Sequence, residues 1–410
     1  MKTNHRRIKV FLDTDTLQAF GVLTIQIVRG HEVFSFDFAE DWLGSRACRM
    51  LDPDLQLYAG PQFTTKPNFG LFLDSAPDRW GRQLMRRRES LCAREESRPP
   101  GPLFESDYLL GVFDQTRMGA LRFCSEDGNY LSSDTRMVTP PWARLRDLEY
   151  ACRKLESESS TEAEDSKWLS LLIAPGSSLG GARPKANVLD VNGDLWIAKF
   201  PSGADNSDTA AWEYVTHHLA AQSGIDVSEA KLEKLSKYGS TFLSKRFDRI
   251  HSQRVHFASA MTLLGRMDGS ESASYLDLAQ FIMTSCVDPE RDLKQLWRRM
   301  AFSVAVGNTD DHLRNHGFLL GNNGWRLSPA FDINPNPDGV ALSLNINETD
   351  SSRDFDLLKS VGKYFRISDK EADQTLKEVL SSVSNWGKIA TEIGIPRSSQ
   401  DLMRPAFRLH

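Results

Sequence analysis

The sequence predicts an α+β protein with an N-terminal α/β subdomain, a central strand-rich unit and a mostly helical C-terminal lobe. Phe34, Phe36 and Phe38 alternate with polar residues, the period of a strand with one buried face. Apolar runs at residues 186–191 and 194–200 flank Asn192-Gly193, a hairpin signal in which both turn residues need positive φ. Leu293, Leu296, Trp297, Met300 and Val304 keep helical spacing behind Asp288-Pro289, a cap followed by proline at the first helical position.

Short strands are expected at residues 10–12 and 22–25, and a helix over 70–89, broken by Gly101 and Pro102 before an apolar segment at 108–113. Arg79, Arg82, Arg86, Arg87 and Arg88 give that helix a basic face, either solvated surface or a docking face for a partner or nucleic acid. Residues 155–166 are acidic, Ser-rich and too poor in large apolar side chains to order themselves, so a flexible connection is expected there. A helix should start at Ser207 or Asp208 and end near Gly224, a strand should cover 241–247, and the helix from Pro289 should stop at Gly307. Residues 307–333 read as loop, strand, turn, strand, loop, with helices beyond them. The expected divisions are residues 1–150, 151–250 and 251–410.

With 410 residues, 40% of them hydrophobic, the chain can bury the cores of two or three domains. A net charge of −5 predicts no delocalised grip on nucleic acid or anionic membrane. The five cysteines are widely spaced and never form Cys-x-x-Cys, which argues against a disulfide framework or structural zinc and for a reducing compartment. The N-terminus has no apolar stretch of a signal peptide and no run approaches the ~18 residues of a membrane span, so a cytoplasmic protein without membrane contact is expected.

Four segments carry chemistry. Ser177-Ser178-Leu179-Gly180-Gly181-Ala182-Arg183-Pro184-Lys185 is a small-residue loop before a strand: an ordinary turn, or a backbone cradle for phosphate. Lys199 sits inside an apolar strand, either with its head in water or facing an anion, for which Glu213 and ATP phosphates are candidates. In the loop from Gly307 to Asn315, Asp310 and Asn315 have the spacing of a kinase catalytic base and its metal-binding asparagine, although Asn and Asp are also turn formers. Asp332, between Phe331 and Ile333, is either a helix cap or a carboxylate that meets a metal. Their order along the chain is that of a two-lobed, protein-kinase-like fold.

Residues 178–185, 198–201, 246–249, 307–315 and 328–333 together resemble the HipA family of bacterial toxin serine/threonine kinases over nearly the whole chain. The resemblance implies Asp310 as catalytic base and Asn315 and Asp332 as Mg²⁺ ligands. It implies that ATP meets Gly180, Gly181, Ala182, Arg183, Pro184, Lys185, Lys199, Lys245, Arg246, Phe247, His312 and Phe331. Ser178, with Ser177 as its neighbouring alternative, matches a serine whose autophosphorylation expels the nucleotide loop and silences the kinase. Arg183-Pro184 and Lys245 depart from the pattern of the best-known member; Pro184 removes one N–H from the phosphate cradle. The resemblance further implies a protein substrate, an aminoacyl-tRNA synthetase among the family's acceptors, and a small HipB-like antitoxin that carries the contact with DNA. The competing readings are an inactive kinase-fold module that binds an antitoxin and co-represses its operon, and a small-molecule phosphotransferase. Retention of Asp310, Asn315, Asp332 and Lys199 speaks against the first, and the N-terminal unit of ~150 residues against the second.

Overall fold

The computed structural model describes residues 5–133, 139–157, 168–169, 171–172, 181–269 and 273–409. The chain is of the α+β class, as predicted, and divides into two compact units, Met1–Ala204 with Asp248–Ala258 and Asp205–Phe247 with Ser259–His410.

In the first unit β1 (His5–Asp13), β2 (Leu17–Val28), β3 (His31–Phe38), β4 (Gln62–Phe63) and β5 (Leu121–Cys124) form an antiparallel sheet in the order β4-β3-β2-β1-β5. The strands outrun the expected residues 10–12 and 22–25 because pairing continues through positions whose outer face meets solvent: in β1, Ile8, Val10 and Leu12 are buried while Arg7 and Lys9 are exposed. The inner face carries Phe20, Phe36, Phe38, Trp42 and Phe72, with ring centroids 5.1–5.5 Å apart and mostly edge-to-face.

The single helix expected over 70–89 is two, Gly70–Leu73 and α1 (Arg79–Glu95). Pro77 lacks a backbone donor, and Asp78 caps α1 by accepting the Gly81 N–H at 3.1 Å. Arg82 forks onto Glu105 at 2.6 Å through both terminal nitrogens and lies over the Tyr108 ring of α2 (Glu105–Gly111), which removes it from the expected basic face. α3 (Leu145–Glu156) includes the first two residues of the expected linker because Leu155 is buried; residues 158–167 lie outside the described residues.

β6 (Lys185–Leu189) and β7 (Leu195–Lys199) form the expected hairpin, but its turn is longer than two residues. Leu189 pairs with Leu195, and only Gly193 of the Asn-Gly pair has positive φ, at 81°. Asp190 decides this: its Oδ1 accepts the N–H groups of Asn192 and Asp194, both at 2.9 Å. The unit's second segment is tied down by Asp248, whose Oδ2 accepts the Gly119 N–H at 2.8 Å and pairs with Arg249 at 2.7 Å.

The second unit is built around α6 (Pro289–Val306), which follows α4 (Thr209–Gln222) and α5 (Tyr275–Ser285). Asp208 caps α4 and also accepts the Ser240 N–H at 3.0 Å, tying the helix to the hairpin of β8 (Ala230–Glu233) and β9 (Thr241–Lys245). Asp288 caps α6, Pro289 occupies its first turn, and Gly307 ends it in the left-handed region at φ 68°. Leu293, Leu296, Trp297, Met300 and Val304 are fully buried, each burial stabilising by about 1.5–3 kcal/mol. The hairpin β10 (Gly317–Gly321) and β11 (Gly324–Leu327) follows the loop after α6, as expected. Among the described residues no helix is long and apolar enough to cross a membrane.

His256 of the first unit is 1% exposed, and burial lowers its imidazole pKa from 6.5 to about 4. The folded value is depressed, so this contribution to stability is intact above pH 6.5 and lost as pH falls towards 4, about 3 kcal/mol in all. Urea midpoints measured across that window should drop steeply for the wild type and more shallowly for His256→Phe; parallel curves would assign the effect elsewhere.

Candidate active site

The loop that leaves α6 is closed by its own backbone. The Asp310 carbonyl accepts the His312 N–H and the Asn315 side-chain amide, both at 3.0 Å, and the Asn315 N–H returns to the His312 carbonyl at 2.8 Å. This turn leaves Asp310 exposed and Asn315 buried. Its neighbour Asp311 turns inward and is 4% exposed.

An ionised carboxylate at such depth is expensive unless its lone pairs are used. Asp311 receives Ser303 Oγ of α6 at 3.1 Å, has His316 Nε2 at 3.0 Å, and accepts a hydrogen bond from the Tyr275 hydroxyl of α5. Burial pushes its pKa up, but the His316 imidazole and the hydrogen bonds from His316, Tyr275 and Ser303 outweigh that and hold it below the usual carboxylate range. Asp311 therefore pins the loop to two helices one residue away from Asp310.

The segment carrying Asp332 is stitched to the same loop. Asn308 Oδ1 accepts the Asn334 N–H at 3.2 Å, and Asn334 Nδ2 donates to Asp332 Oδ1 at 3.1 Å. The Asn336 N–H reaches the Gly307 carbonyl at 3.0 Å, and Asn336 Nδ2 reaches Thr309 Oγ1 at 2.9 Å. From the other side, Thr216 Oγ1 of α4 donates to the Ile333 carbonyl at 2.6 Å, and the Ala330 N–H donates to the Asp226 carbonyl at 2.7 Å. Asp332 itself has φ 57°, a left-handed conformation that aspartate tolerates better than most residues and that its surroundings must hold.

The other expected residues of this unit lie on neighbouring elements. Phe331 packs on Phe247 with ring centroids 5.5 Å apart. The Lys245 N–H, at the end of β9, donates to the Glu229 carbonyl at 2.8 Å, and Arg246 is 3% exposed. Glu213 on α4 is 4% exposed, and His312 opens the short turn Leu313–Asn315.

In the first unit, Lys185 and Lys199 are directly opposed in the β6–β7 register, so their side chains share one face of the hairpin. Lys185 is 2% exposed, with Asp78 Oδ2 at 3.3 Å. Burial raises the Asp78 pKa, partly countered by Lys185 and by N–H donors at the start of α1. The Pro184 carbonyl accepts the Phe200 N–H at 2.9 Å, and the Lys185 carbonyl accepts the Trp80 indole N–H at 3.0 Å. Gly181 has φ 94°, and a Cβ there would stand 2.9 Å from Lys185 Nζ, so side-chain-free space is kept beside an ammonium group. Ala182 and Arg183 follow in the same bend; Ser177, Ser178 and Gly180 lie outside the described residues.

Among the described residues no group of three His, Cys, Asp or Glu side chains could hold a metal. Asp332 and Asn315 are hard oxygen donors of the kind Mg²⁺ takes when phosphate oxygens and water complete its shell.

Sequence reasoning missed Asp311, Asn308, Asn334 and Asn336. Their signal was present in the repeated Asn-Pro after Asp332 and in the doubled Asp310-Asp311, but pattern alone does not say which of two adjacent aspartates turns inward. Asp311→Ala should lower stability by about 3 kcal/mol, because it strands the Tyr275 and Ser303 hydroxyls in the core and removes the carboxylate beside His316, and Tyr275→Phe by about 1 kcal/mol. A double-mutant cycle by urea unfolding should show the two changes to be non-additive; simple additivity would deny the contact its energetic role.

Residues 177–386, just over half of the chain, match the HipA-like C-terminal domain. A candidate kinase of Sinorhizobium fredii, Y4mE, is 27% identical over 182 residues, 38% of this chain and 41% of that protein. A candidate kinase of Haemophilus influenzae is 26% identical over 187 residues, 40% of this chain and 54% of that protein, so the chain spans about half the length of these two relatives. Another candidate kinase of Sinorhizobium fredii, Y4dM, is 25% identical over 306 residues, 66% of this chain and 67% of that protein. Among solved structures, the Shewanella oneidensis toxin–antitoxin complex of HipA, HipB and operator DNA contains a chain with TM-score 0.64 and 16% identity, over 97% of this chain and 94% of that one, a likeness of fold. With its C-terminal half matched to the domain that defines them, the chain belongs to the HipA family.

Proposed function

We propose that this chain is an ATP- and Mg²⁺-dependent serine/threonine protein kinase, and one observation carries the reading. Asp310 is held outward on a loop closed by Asn315, and the same loop is hydrogen-bonded through Asn308 and Asn334 to the segment of Asp332. The backbone of Asp310, the Asn315 amide and the Asp332 carboxylate, at kinase spacing, thus lie on one hydrogen-bonded loop pair.

In this reading Asp310 accepts the proton of the acceptor hydroxyl. Asn315 and Asp332 hold Mg²⁺, whose chemistry when bound is to neutralise charge on the phosphates. Lys185, Lys199 and the small-residue loop from Gly180 meet the phosphates; two lysines on one hairpin face suit an anionic ligand. Lys245, Arg246, Phe247, His312 and Phe331 meet the rest of the nucleotide. The relatives named as candidate kinases support phosphoryl transfer. We further propose a protein acceptor such as an aminoacyl-tRNA synthetase, self-phosphorylation at Ser178 or Ser177, and a cytoplasmic location, which five free cysteines suit. The Shewanella HipA was solved with HipB and operator DNA, which supports a HipB-like antitoxin partner that carries the DNA contact.

Incubation with labelled ATP and Mg²⁺ should label the wild type, whereas Asp310→Asn should lose about 10²–10⁴-fold in rate with its thermal unfolding unchanged. Undiminished labelling of the variant would remove Asp310 from the mechanism. Peptide mapping should place the self-label on Ser178 or Ser177; label found solely at other residues would refute that assignment.

A further inference from the structure

We infer that Asn334 is a third protein ligand of the nucleotide-bound divalent cation, acting through its side-chain oxygen. The inference rests on the kinase reading above and extends it to a residue outside the expected set. Asn334 is fixed at two points, one through its side chain and one through its backbone. Its Nδ2 donates to Asp332 Oδ1 at 3.1 Å, and the residue's own N–H is held by Asn308 at 3.2 Å. Pro335, which is buried, restricts the backbone of Asn334 further.

Its Oδ1, by contrast, is buried and has no hydrogen-bond partner. A buried amide oxygen left unsatisfied costs about 1–3 kcal/mol. That oxygen belongs to the same planar amide whose nitrogen donates to Asp332. Mg²⁺ takes six oxygen donors, so a cation at Asp332 and Asn315 leaves positions open that an amide oxygen can share with water and phosphate. Asn315 supplies one amide oxygen, and Asn334 offers another. An amide carbonyl is a hard donor that Mg²⁺ and Mn²⁺ both accept.

The test is Mn²⁺ binding to the full chain with a non-hydrolysable ATP analogue, followed by loss of the free-ion electron paramagnetic resonance signal. Asn334→Leu should weaken Mn²⁺ binding by about tenfold or more. Asn334→Asp should tighten it several-fold, because a carboxylate oxygen replaces the amide oxygen. A residue that only hydrogen-bonds to Asp332 predicts the reverse for the aspartate variant, which loses the donor and adds a like charge. That variant is nearly isosteric and carries the test if the leucine variant fails to fold by circular dichroism. Wild-type affinity in Asn334→Asp, or weaker binding, overturns the inference while leaving the kinase reading in place. A wild-type chain that binds neither Mn²⁺ nor the analogue overturns both.

Discussion

A single run of hydrogen bonds in the second unit joins the buried Asp311 to the half-buried Asp332, and the candidate chemistry depends on it. Asp311 is held by Ser303, Ser303 Oγ accepts from Asn308 Nδ2 at 3.4 Å, Asn308 accepts from the Asn334 N–H, and Asn334 donates to Asp332. A buried carboxylate is tolerated only when its lone pairs are used, so Asp311 holds its donors in place as firmly as they hold it. Tyr275 and Ser303 bring α5 and α6 into that arrangement, and the apolar face of α6 sets where Ser303 stands. Asp310 inherits its outward direction from this anchoring.

The first unit handles charge differently. Its lysines are placed by register: one antiparallel pairing puts Lys185 opposite Lys199, and Asp78 at the start of α1 offsets one of them. Two ammonium groups set opposite each other on one face repel, and the hairpin register alone imposes that pairing. Gly181 adds no bulk there: a side chain would stand against Lys185 Nζ.

Fold likeness to the Shewanella HipA chain persists at 16% identity, a level at which individual side chains carry little of the likeness. What can persist is pattern: a two-residue period in the sheet, a helical period in α6, and proline and glycine at the ends of elements. The short polar motifs are a separate layer, and residues 177–386, which match the family domain, contain nearly all of them.

Local periodicity determined most of the elements without help from the rest of the chain. The α6 stripe, its Asp288-Pro289 start, its Gly307 stop, the β6–β7 hairpin and the Asp208 cap all follow from residues within a few positions of one another. Motif order determined Asp310, Asn315 and Asp332 as candidates, because kinase chemistry needs those groups at those spacings. Tertiary structure decided what local rules leave degenerate. Asp310 and Asp311 are chemically the same, and only the positions of Tyr275, Ser303 and His316 select which is buried. Asp190 overrode the Asn-Gly turn, and Pro77 with Asp78 split an apparently continuous helix. The asparagines at 308 and 334 show no period at all; their role exists only because two loops 26 positions apart meet in space, a long-range pairing that no sequence window contains.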